Sequence, residues 1–513
     1  LIDTREFVHY QRFNDILSME GLPKMLLIGA TQPQLRTGQF VAPPLGAYRV
    51  ASFLEPFGIE VDVYDPSLRI LQGRDNLEEL VAHTHYDFIG VSMLDQSLLQ
   101  DEKLLNRLKE LSPDSIFIAG NQGAQFNRKR LFAETQVDAV VAGWGEFPLL
   151  EMAMAYERGK ADPKLFSRIR GVYTRDGIAG KMIEARGVIP YQMEDLRLVT
   201  LLHDSASVPY DEYWDYIDRY YGVEHLETTG HEKFIHSVRV YFESECPMGC
   251  DFCASTHQQE DAYANLTEEE LRELRALNIR QAALLLPAED CMRAIMNVIR
   301  AYKGRLTAIF FNDDNFGLNP KRNYELCKLA RENKEFQKSG VHAFCLFRAD
   351  NAVRHSRFKP DSAKPDTINL LEMLHKDLHM EMMLLGLEAL DDDVLKGMDK
   401  KVIGGAATNK KGALAVLLAG MNVNATFIML HPAVNTLRKL MNTVSGCCGL
   451  IEKAISMGAG EKFKIRPYLF AEPYAGSTIV EEKAETMGWE SAGSGRARVL
   501  GKRNGQDLGL SQV

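Results

Sequence analysis

The sequence predicts an α/β protein in two parts. The first is a doubly wound, Rossmann-like parallel sheet; the second is a partial (β/α)6 barrel of TIM type. Three observations carry this. From Lys24 to Arg158, short apolar runs alternate with helical stretches, the pattern of a parallel sheet covered on both faces. From Ser237 a second alternating series gives six strand–helix units. Between them lies a stretch rich in Tyr, Asp, Glu and His, without clean periodicity. The expected division is 1–195, a bridge at 196–236, a barrel at 237–440 and a region closing the barrel at 441–513.

In the first part, Lys24 to Thr31 (KMLLIGAT) is a short buried strand. A polar loop follows, and Pro43-Pro44 opens a helix over Leu45 to Phe57, because proline is tolerated in a first helical turn. Ile59 to Tyr64 is a strand stopped by Asp65-Pro66. Asn76 to His83 is a helix, Phe88 to Ser92 a strand, Leu98 to Leu111 a helix and Ile116 to Ala119 a strand. Ala139 to Ala142 is the fifth strand and Phe147 to Arg158 the helix after it. Ligands of such sheets sit beyond the strand C-termini. The loops there are Thr31 to Pro44, Asp65 to Arg69, Ser92 to Ser97, Gly120 to Gly123 and Gly143 to Glu146. None is a GxGxxG fingerprint or a Walker loop.

The bridge reads as a linker, with Tyr210, Tyr213, Tyr216, Tyr220 and Tyr221 packing between domains or lining a channel. In the second part the expected strands are Val238 to Phe242, Leu306 to Asn312, Val341 to Phe347, Met380 to Leu385, Met421 to Met429 and Lys462 to Leu469. Helices are expected at Leu266 to Leu277, Asp290 to Tyr302, Arg322 to Asn333, Thr367 to Leu374, Asp393 to Met398 and Lys411 to Ala419. Functional residues of a barrel gather at the strand C-terminal ends. Asp313, Asp314, Arg348 and Glu388 stand there.

Composition narrows the classes. A chain of 513 residues favours at least two domains, and 45% hydrophobic with 25% charged residues is the make-up of a soluble globular protein. A net charge of −10 with a pI near 5.8 argues against a general nucleic-acid partner. No apolar run is long enough to span a bilayer. The start, LIDTREFVHYQRF, has acids and no apolar core, so no secretory signal is expected. It begins without Met, so some preceding residues are expected to be missing. Eight cysteines in a chain this long are no disulfide framework, and a reducing cytoplasm is expected. Cys291, Cys327 and Cys345 read as buried thiols, and Cys447 and Cys448 as core or helix positions.

The remaining cysteines are different. Ser237 to Thr256, SVRVYFESECPMGCDFCAST, is a strand running into a loop with Cys246, Cys250 and Cys253, and Phe252 just before the last. Three soft thiolate ligands in eight residues suit an iron–sulfur cluster or zinc. Closed sites normally take four protein ligands. The nearest candidates for a fourth are His257 and Cys291. Without one, three cysteines suggest a four-iron cluster with one iron open to a small molecule. The alternatives are a zinc knuckle completed by His257 and three unrelated buried thiols.

The Cys-x3-Cys-x2-Cys spacing resembles the signature of the radical S-adenosylmethionine enzymes. In that family the open iron binds the amino and carboxylate groups of S-adenosylmethionine. FNDDNF and GLEALDDDVLKGMDK resemble the family's aromatic-x-Asp-Asp-x-Phe and Gly-x-Glu segments, and FAEPYAGSTIVEE its barrel end, with Ser477 in place of Thr. The resemblance implies that Asp313, Asp314, Arg348 and Glu388 surround S-adenosylmethionine, with Phe252 beside the cluster. Asp313 and Asp314 could instead form a strand-end turn, and Glu388 a core carboxylate paired with Arg348. There is no Gly-Gly-Glu after the second strand.

Upstream, PPLGAYRVASFLEPFGIEVDVYDPS, AGNQGAQF and VVAGWGEFPLLE resemble the cobalamin-binding domain fused to many of these enzymes. This implies corrin contacts at Pro44, Leu45, Gly46, Ser92, Gly120, Gly123, Gly143, Gly145 and Glu146. Asp-x-His-x-x-Gly, which supplies a histidine ligand to cobalt elsewhere, is absent. Arg69 is a candidate cap for the lower cobalt face, or a surface residue. The implied cofactors are a [4Fe-4S] cluster, S-adenosyl-L-methionine and cobalamin. The implied activity is methyl transfer from S-adenosylmethionine through cobalt to a carbon of a small molecule, an aromatic such as tryptophan being the most specific expectation. The tryptophan C2-methylases belong to this family and proceed without a radical; a radical route would need an external electron donor. A cyclase or ring-rearranging enzyme on the same cofactors is one alternative, and a non-catalytic cobalamin or redox sensor another.

Overall fold

The computed structural model describes residues 21–31, 42–159, 166–176, 181–188, 190–203, 205–229, 235–276, 283–361, 365–470, 477, 489–491, 497–499, 501–503 and 506–508. The chain divides into two compact units. One comprises 1–221, 253–282 and 473–513; the other comprises 222–252 and 283–472.

The first unit is built on a seven-stranded sheet, β1 (Met25–Ile28), β2 (Val61–Tyr64), β3 (Phe88–Ser92), β4 (Ile116–Gly120), β5 (Ala139–Val141), β6 (Val172–Arg175) and β7 (Met182–Ile183). The order is β2-β1-β3-β4-β5-β6-β7, parallel through β5 and antiparallel after it. The doubly wound expectation holds for the five parallel strands. The antiparallel extension was not foreseen, because VYTR and the two-residue strand MI are too short to show a period.

The helices of this unit are α1 (Leu45–Leu54), α2 (Pro66–Leu71), α3 (Leu77–His83), α4 (Leu98–Leu111), α5 (Asn121–Phe126), α6 (Arg128–Glu134), α7 (Glu146–Gly159) and α8 (Met193–Leu202). α9 (Tyr210–Thr229) begins in it. α10 (Ser255–Tyr263) and α11 (Glu268–Ala276) belong to it too. α4 falls where its apolar spacing predicts. The stretch expected to be a bridging linker is instead helical, in α8 and α9. Gln192 and Asp195 cap α8 reciprocally. On α9, Tyr213, Trp214 and Ile217 are buried, a spacing of three and four that puts them on one helical face. The surrounding acids hid that stripe.

Residues 253–276, within the range expected for the barrel, are packed into this first core. Ala262 on α10 is buried with Phe117, Val140 and Ala142. Val188 N–H donates to the Ala262 carbonyl at 2.8 Å. Arg128 grips Asp261 through Nη1 at 2.9 Å and Nη2 at 3.0 Å, a bidentate pair. Gln125 Nε2 also reaches Asp261, at 2.8 Å.

The second unit is a six-stranded sheet with β8 (Ser237–Val240), β9 (Ala308–Phe311), β10 (His342–Phe347), β11 (Met380–Glu388), β12 (Asn422–Leu430) and β13 (Phe463–Phe470). All pairs are parallel and the strands lie in chain order, the order a partial barrel requires. Between them run α12 (Ala288–Ala301), α13 (Pro320–Glu332), α14 (Lys334–Ser339), α15 (Ala349–His355), α16 (Leu370–Asp377), α17 (Asp392–Gly397), α18 (Gly405–Leu418) and α19 (Leu437–Ser456). Ala343, Cys345 and Phe347 on β10 are buried at alternate positions, as a strand with one face under helices must be. α19 carries Cys447 buried and Cys448 exposed. Two short antiparallel pairs, β14 (Trp489–Ser491) with β15 (Ala497–Val499) and β16 (Gly501–Arg503) with β17 (Gln506–Leu508), lie in the C-terminal region. Of FAEPYAGSTIVEE, only Phe470 and Ser477 fall among the described residues.

Candidate functional site

At the carboxyl edge of the first sheet the expected contact residues take up definite roles. Pro44 starts α1, its carbonyl accepting the Ala47 N–H at 2.9 Å. A Cβ on Gly29 would meet the Pro44 ring at 2.7 Å, so glycine there lets Pro44 sit against the end of β1. Leu45 is buried, while a Cβ on Gly46 or Gly120 would enter open space. Ser92 ends β3, and its hydroxyl accepts from Asn121 Nδ2 at 3.1 Å. Asn121 itself has φ 75°, the left-handed region.

Three of these positions behave differently from a bare loop. Gly120 to Gly123 does not stay a loop: Gly123 lies in α5, where a Cβ would strike the Leu94 backbone at 2.5 Å. Its bareness serves packing. Glu146 is buried, 3.3 Å from Arg49 and accepting from the Tyr191 hydroxyl at 3.3 Å. The Arg49 guanidinium lies over the Trp144 ring at 4.7 Å. Arg69 is on α2 rather than on a loop, because Asp65 caps that helix by accepting the Ser67 N–H at 2.9 Å. Arg69 Nη1 donates to Glu212 on α9 at 2.9 Å. Asp65 also accepts from the buried Tyr213 hydroxyl at 2.5 Å. Gly143 (φ 73°) donates its N–H to Gln125 Oε1 at 3.0 Å, and Gly145 follows just before α7.

The carboxyl edge of the second sheet is the more polar one. After β8 comes the irregular loop with Cys246, partly buried, and Cys250, buried; Cys253 opens the 253–282 segment. Burial pushes the Cys250 thiol up, while Lys400 and Arg348 pull it back. Such cations favour a thiolate. Among the described residues no three His, Cys, Asp or Glu side chains converge as the ligands of one ion must. A four-iron cluster makes a different demand, since each thiolate takes its own iron and the sulfurs stand apart. Three soft thiolates within eight residues are a donor set that fits such a cluster. Cys291 is fully buried on α12, with Sγ 3.6 Å from the Leu286 carbonyl and its pKa pushed up to about 12 by burial. It is held as a core thiol, as are Cys327 and Cys345.

Asp313, after β9, is fully buried. It accepts the Phe242 N–H at 2.5 Å and lies 3.6 Å from Arg322 Nη1. Asp314 beside it is exposed. Arg348, after β10, is a two-pronged donor to Asp350, at 3.1 and 3.0 Å, and reaches the Lys401 carbonyl at 2.9 Å. Glu388 ends β11 with φ 61°. The sequence reading allowed a pair between Glu388 and Arg348; the partner is Lys400, whose Nζ donates to Glu388 Oε1 at 3.0 Å. A Cβ on Gly386 would stand 2.6 Å from that oxygen and 3.0 Å from Lys400 Nζ. The glycine of Gly-x-Glu is thus the space into which the pair folds back.

Sequence reading passed over Glu243, Arg322, Lys400 and His431. Glu243 and His431 follow closely on strand ends of this sheet, whereas Arg322 and Lys400 come 11 and 12 residues after theirs. Glu243 lies in SVRVYFESECPMGCDFCAST and Lys400 at the end of GLEALDDDVLKGMDK, but nothing in the spacing marks either as a partner.

Residues 34–153 match the family model described as the B12 binding domain. No curated protein matches the chain in sequence. Among solved structures, the chain is similar to the cobalamin-dependent S-adenosylmethionine radical enzyme OxsB, solved with aqua-cobalamin and S-adenosylmethionine. The identity is 16% and the TM-score 0.62, over 95% of this chain and 64% of that one. It is also similar to the radical S-adenosylmethionine methyltransferase TsrM from Kitasatospora setae, solved with tryptophan and an S-adenosylmethionine analogue. There the identity is 14% and the TM-score 0.61, over 91% of this chain and 76% of that one.

The fold is that of the cobalamin-dependent S-adenosylmethionine radical enzymes.

The chain spans less than two thirds of the length of OxsB. On that fold, the B12-binding match covers β2 to β5 and the loops after β1 to β5, and the cysteine loop leaves the first strand of the second sheet. No described helix is long and apolar enough to cross a membrane.

Proposed function

We propose that this chain is an enzyme that uses cobalamin, a [4Fe-4S] cluster and S-adenosyl-L-methionine to transfer a methyl group to a carbon of a small molecule. The observation that carries the proposal is the pairing of a B12-binding domain with a Cys-x3-Cys-x2-Cys loop at the mouth of a sequential parallel sheet. When bound, these groups supply the activation of S-adenosylmethionine and the carriage of its methyl group. The chain supplies grip and orientation. Cys246, Cys250 and Cys253 hold the cluster. Glu388, braced by Lys400, and Arg348, braced by Asp350, present fixed charges of opposite sign for the ammonium and carboxylate of an amino acid. Pro44, Gly46, Ser92, Gly120, Gly143 and Gly145 are the edge positions on which the corrin would rest, with Glu146 buried behind them against Arg49. An aromatic acceptor such as tryptophan is the most specific form of the proposal, supported by the TsrM likeness.

A second reading is a radical rearrangement or cyclisation on the same cofactors. The equal likeness to OxsB, a cobalamin-dependent S-adenosylmethionine radical enzyme, supports it. Anaerobic reconstitution with iron, sulfide and hydroxocobalamin, then incubation with methyl-labelled S-adenosylmethionine, separates the two. Label arriving in a candidate acceptor supports methyl transfer. Acceptor-dependent 5′-deoxyadenosine with no label transferred replaces it with the second reading. A protein that holds neither iron nor cobalamin overturns both.

A further inference from the structure

The loop that carries the cysteines has no ladder of its own between Glu245 and Ala254. Its position comes from single backbone bonds and side-chain ties. One of these starts on the far side of the second sheet. β12 ends at Leu430, and the next residue, His431, is 2% exposed. Its Nδ1 accepts the Ala433 N–H at 3.0 Å. A ring nitrogen that accepts carries no proton, so the proton of the neutral imidazole is on Nε2. Nε2 then donates to Asp251 Oδ1 at 3.1 Å.

Asp251 is fully buried and follows Cys250 directly. Its backbone N–H donates to the Met398 carbonyl at 3.1 Å. The Phe252 ring meets the imidazole edge-on at 6.3 Å between centroids. A buried carboxylate that loses a directed donor loses part of what offsets its desolvation. The bond to His431 therefore holds Asp251, and with it Cys250, in one place.

We infer that His431 is a positioning residue for the cysteine loop, acting through Asp251 to fix Cys250 before any metal arrives. This rests on the reading of Cys246, Cys250 and Cys253 as cluster ligands. His431 touches no ligand itself. Its imidazole does two things at once, accepting from its own strand end and donating to the loop, and the two can be separated. Glutamine reaches far enough to donate to Asp251. Asparagine is long enough to satisfy the Ala433 N–H and too short to reach Asp251.

The test uses the full chain with His431→Gln, His431→Asn and His431→Ala, and Asp251→Ala as the same lesion from the other side. Two quantities are read: iron and sulfide retained against a chelator after anaerobic reconstitution, and the rate at which iodoacetamide labels Cys250 in the metal-free protein, by mass spectrometry. Thermal unfolding and hydroxocobalamin binding show that each variant is folded. Groups that orient a metal ligand change metal retention by about 10- to 100-fold when removed. His431→Asn and His431→Ala are expected to lose iron about tenfold faster and to label Cys250 several-fold faster, with His431→Gln close to wild type. Equal labelling of Cys250 in wild type, Asn and Ala proteins overturns the positioning role, whatever the iron content. Faster labelling in those variants, in a wild type that takes up no iron, keeps the role and sinks the cluster reading instead.

Discussion

Glu243 and Asp313 each hold the other's loop. Glu243, after β8, accepts the Asn315 N–H at 2.9 Å, while Asp313, after β9, accepts the Phe242 N–H at 2.5 Å. Both carboxyls are buried, and Arg322 Nη1 stands 3.6 Å from Asp313. Burial and the Asp313 charge push Glu243 well above the usual carboxylate range. Burial pushes Asp313 up as well, to about 6, but the Arg322 cation pulls it back, so Asp313 is the carboxyl paired with a buried cation. Glu243→Gln keeps an accepting oxygen and should cost under about 1 kcal/mol, whereas Asp313→Ala strands the buried Arg322 and should cost about 3 kcal/mol. Urea unfolding at pH 7 measures both. Equal costs would show that Arg322 does not depend on Asp313 for its charge compensation.

Gly386→Ala tests the fold-back of Glu388 onto Lys400. The new Cβ would fall 2.6 Å from Glu388 Oε1, so the flexible carboxylate must swing away. The expected loss of stability is modest, about 1–2 kcal/mol. Binding of S-adenosylmethionine, read by equilibrium dialysis, should fall far more than stability does. A variant that binds normally would remove Glu388 from the site.

Asp101 should make the first unit weaken as pH rises. Burial lifts its carboxyl to about 7 from the ordinary 3.8, against the hydrogen bonds of Ser97 and Thr31, and Glu102 adds repulsion. The folded state therefore holds the proton more tightly than the unfolded one. That stabilisation is complete below pH 3.8 and is lost as pH rises through 7. Asp101→Asn should match wild type near the acid end and melt higher above pH 7, by roughly 2–4 °C per kcal/mol. Parallel melting curves across the range would reject the assignment.

The grip of Arg128 on Asp261 should be specific to arginine. Arg128 also lies over the Tyr173 ring at 4.7 Å. Lysine can replace neither the second prong nor the stacked plane. Arg128→Lys is expected to cost about 1 kcal/mol and Asp261→Ala about 2 kcal/mol, the latter also removing one of the two acceptors of Gln125 Nε2. Chemical unfolding of the two variants checks the order.

Arg69 is the sharpest discriminator of the corrin reading. Its pair with Glu212 is about one-third exposed on each side, so Arg69→Leu should change stability by less than about 1 kcal/mol. If Arg69 also caps cobalt, the absorption bands of bound hydroxocobalamin will move in that variant. Unmoved bands leave Arg69 with its ion pair alone.

What the sequence made legible was set by period and by length. β3 and α4 were readable because their apolar spacing is clean over their whole span. α9 was not, because Tyr213, Trp214 and Ile217 mark its inner face among a run of acids. β6 and β7 escaped because four and two residues cannot display a period. At the site, spacing exposed the cysteines and strand-end position exposed Asp313, Arg348 and Glu388. The partners that fix them were hidden. Lys400, Arg322 and His431 meet their carboxylates only through the fold, with sequence separations of 12, 9 and 180 residues.

The placement of residues 253–282 in the first unit bears on how the chain is made. A ribosome delivers β1 to β7 long before it delivers Ala262, Asp261 and Asn265. Until then the core around Phe117 and Ala142 lacks a wall, Arg128 has no carboxylate, and the Ala185 carbonyl, which later accepts from Asn265 Nδ2 at 3.0 Å, has no amide. The first unit cannot finish folding until β8 and the cysteine loop have already emerged. A gene truncated at residue 236 should therefore yield an aggregation-prone fragment instead of a free-standing corrinoid domain. A fragment engineered to fold alone would have to carry residues 253–282 grafted onto its end.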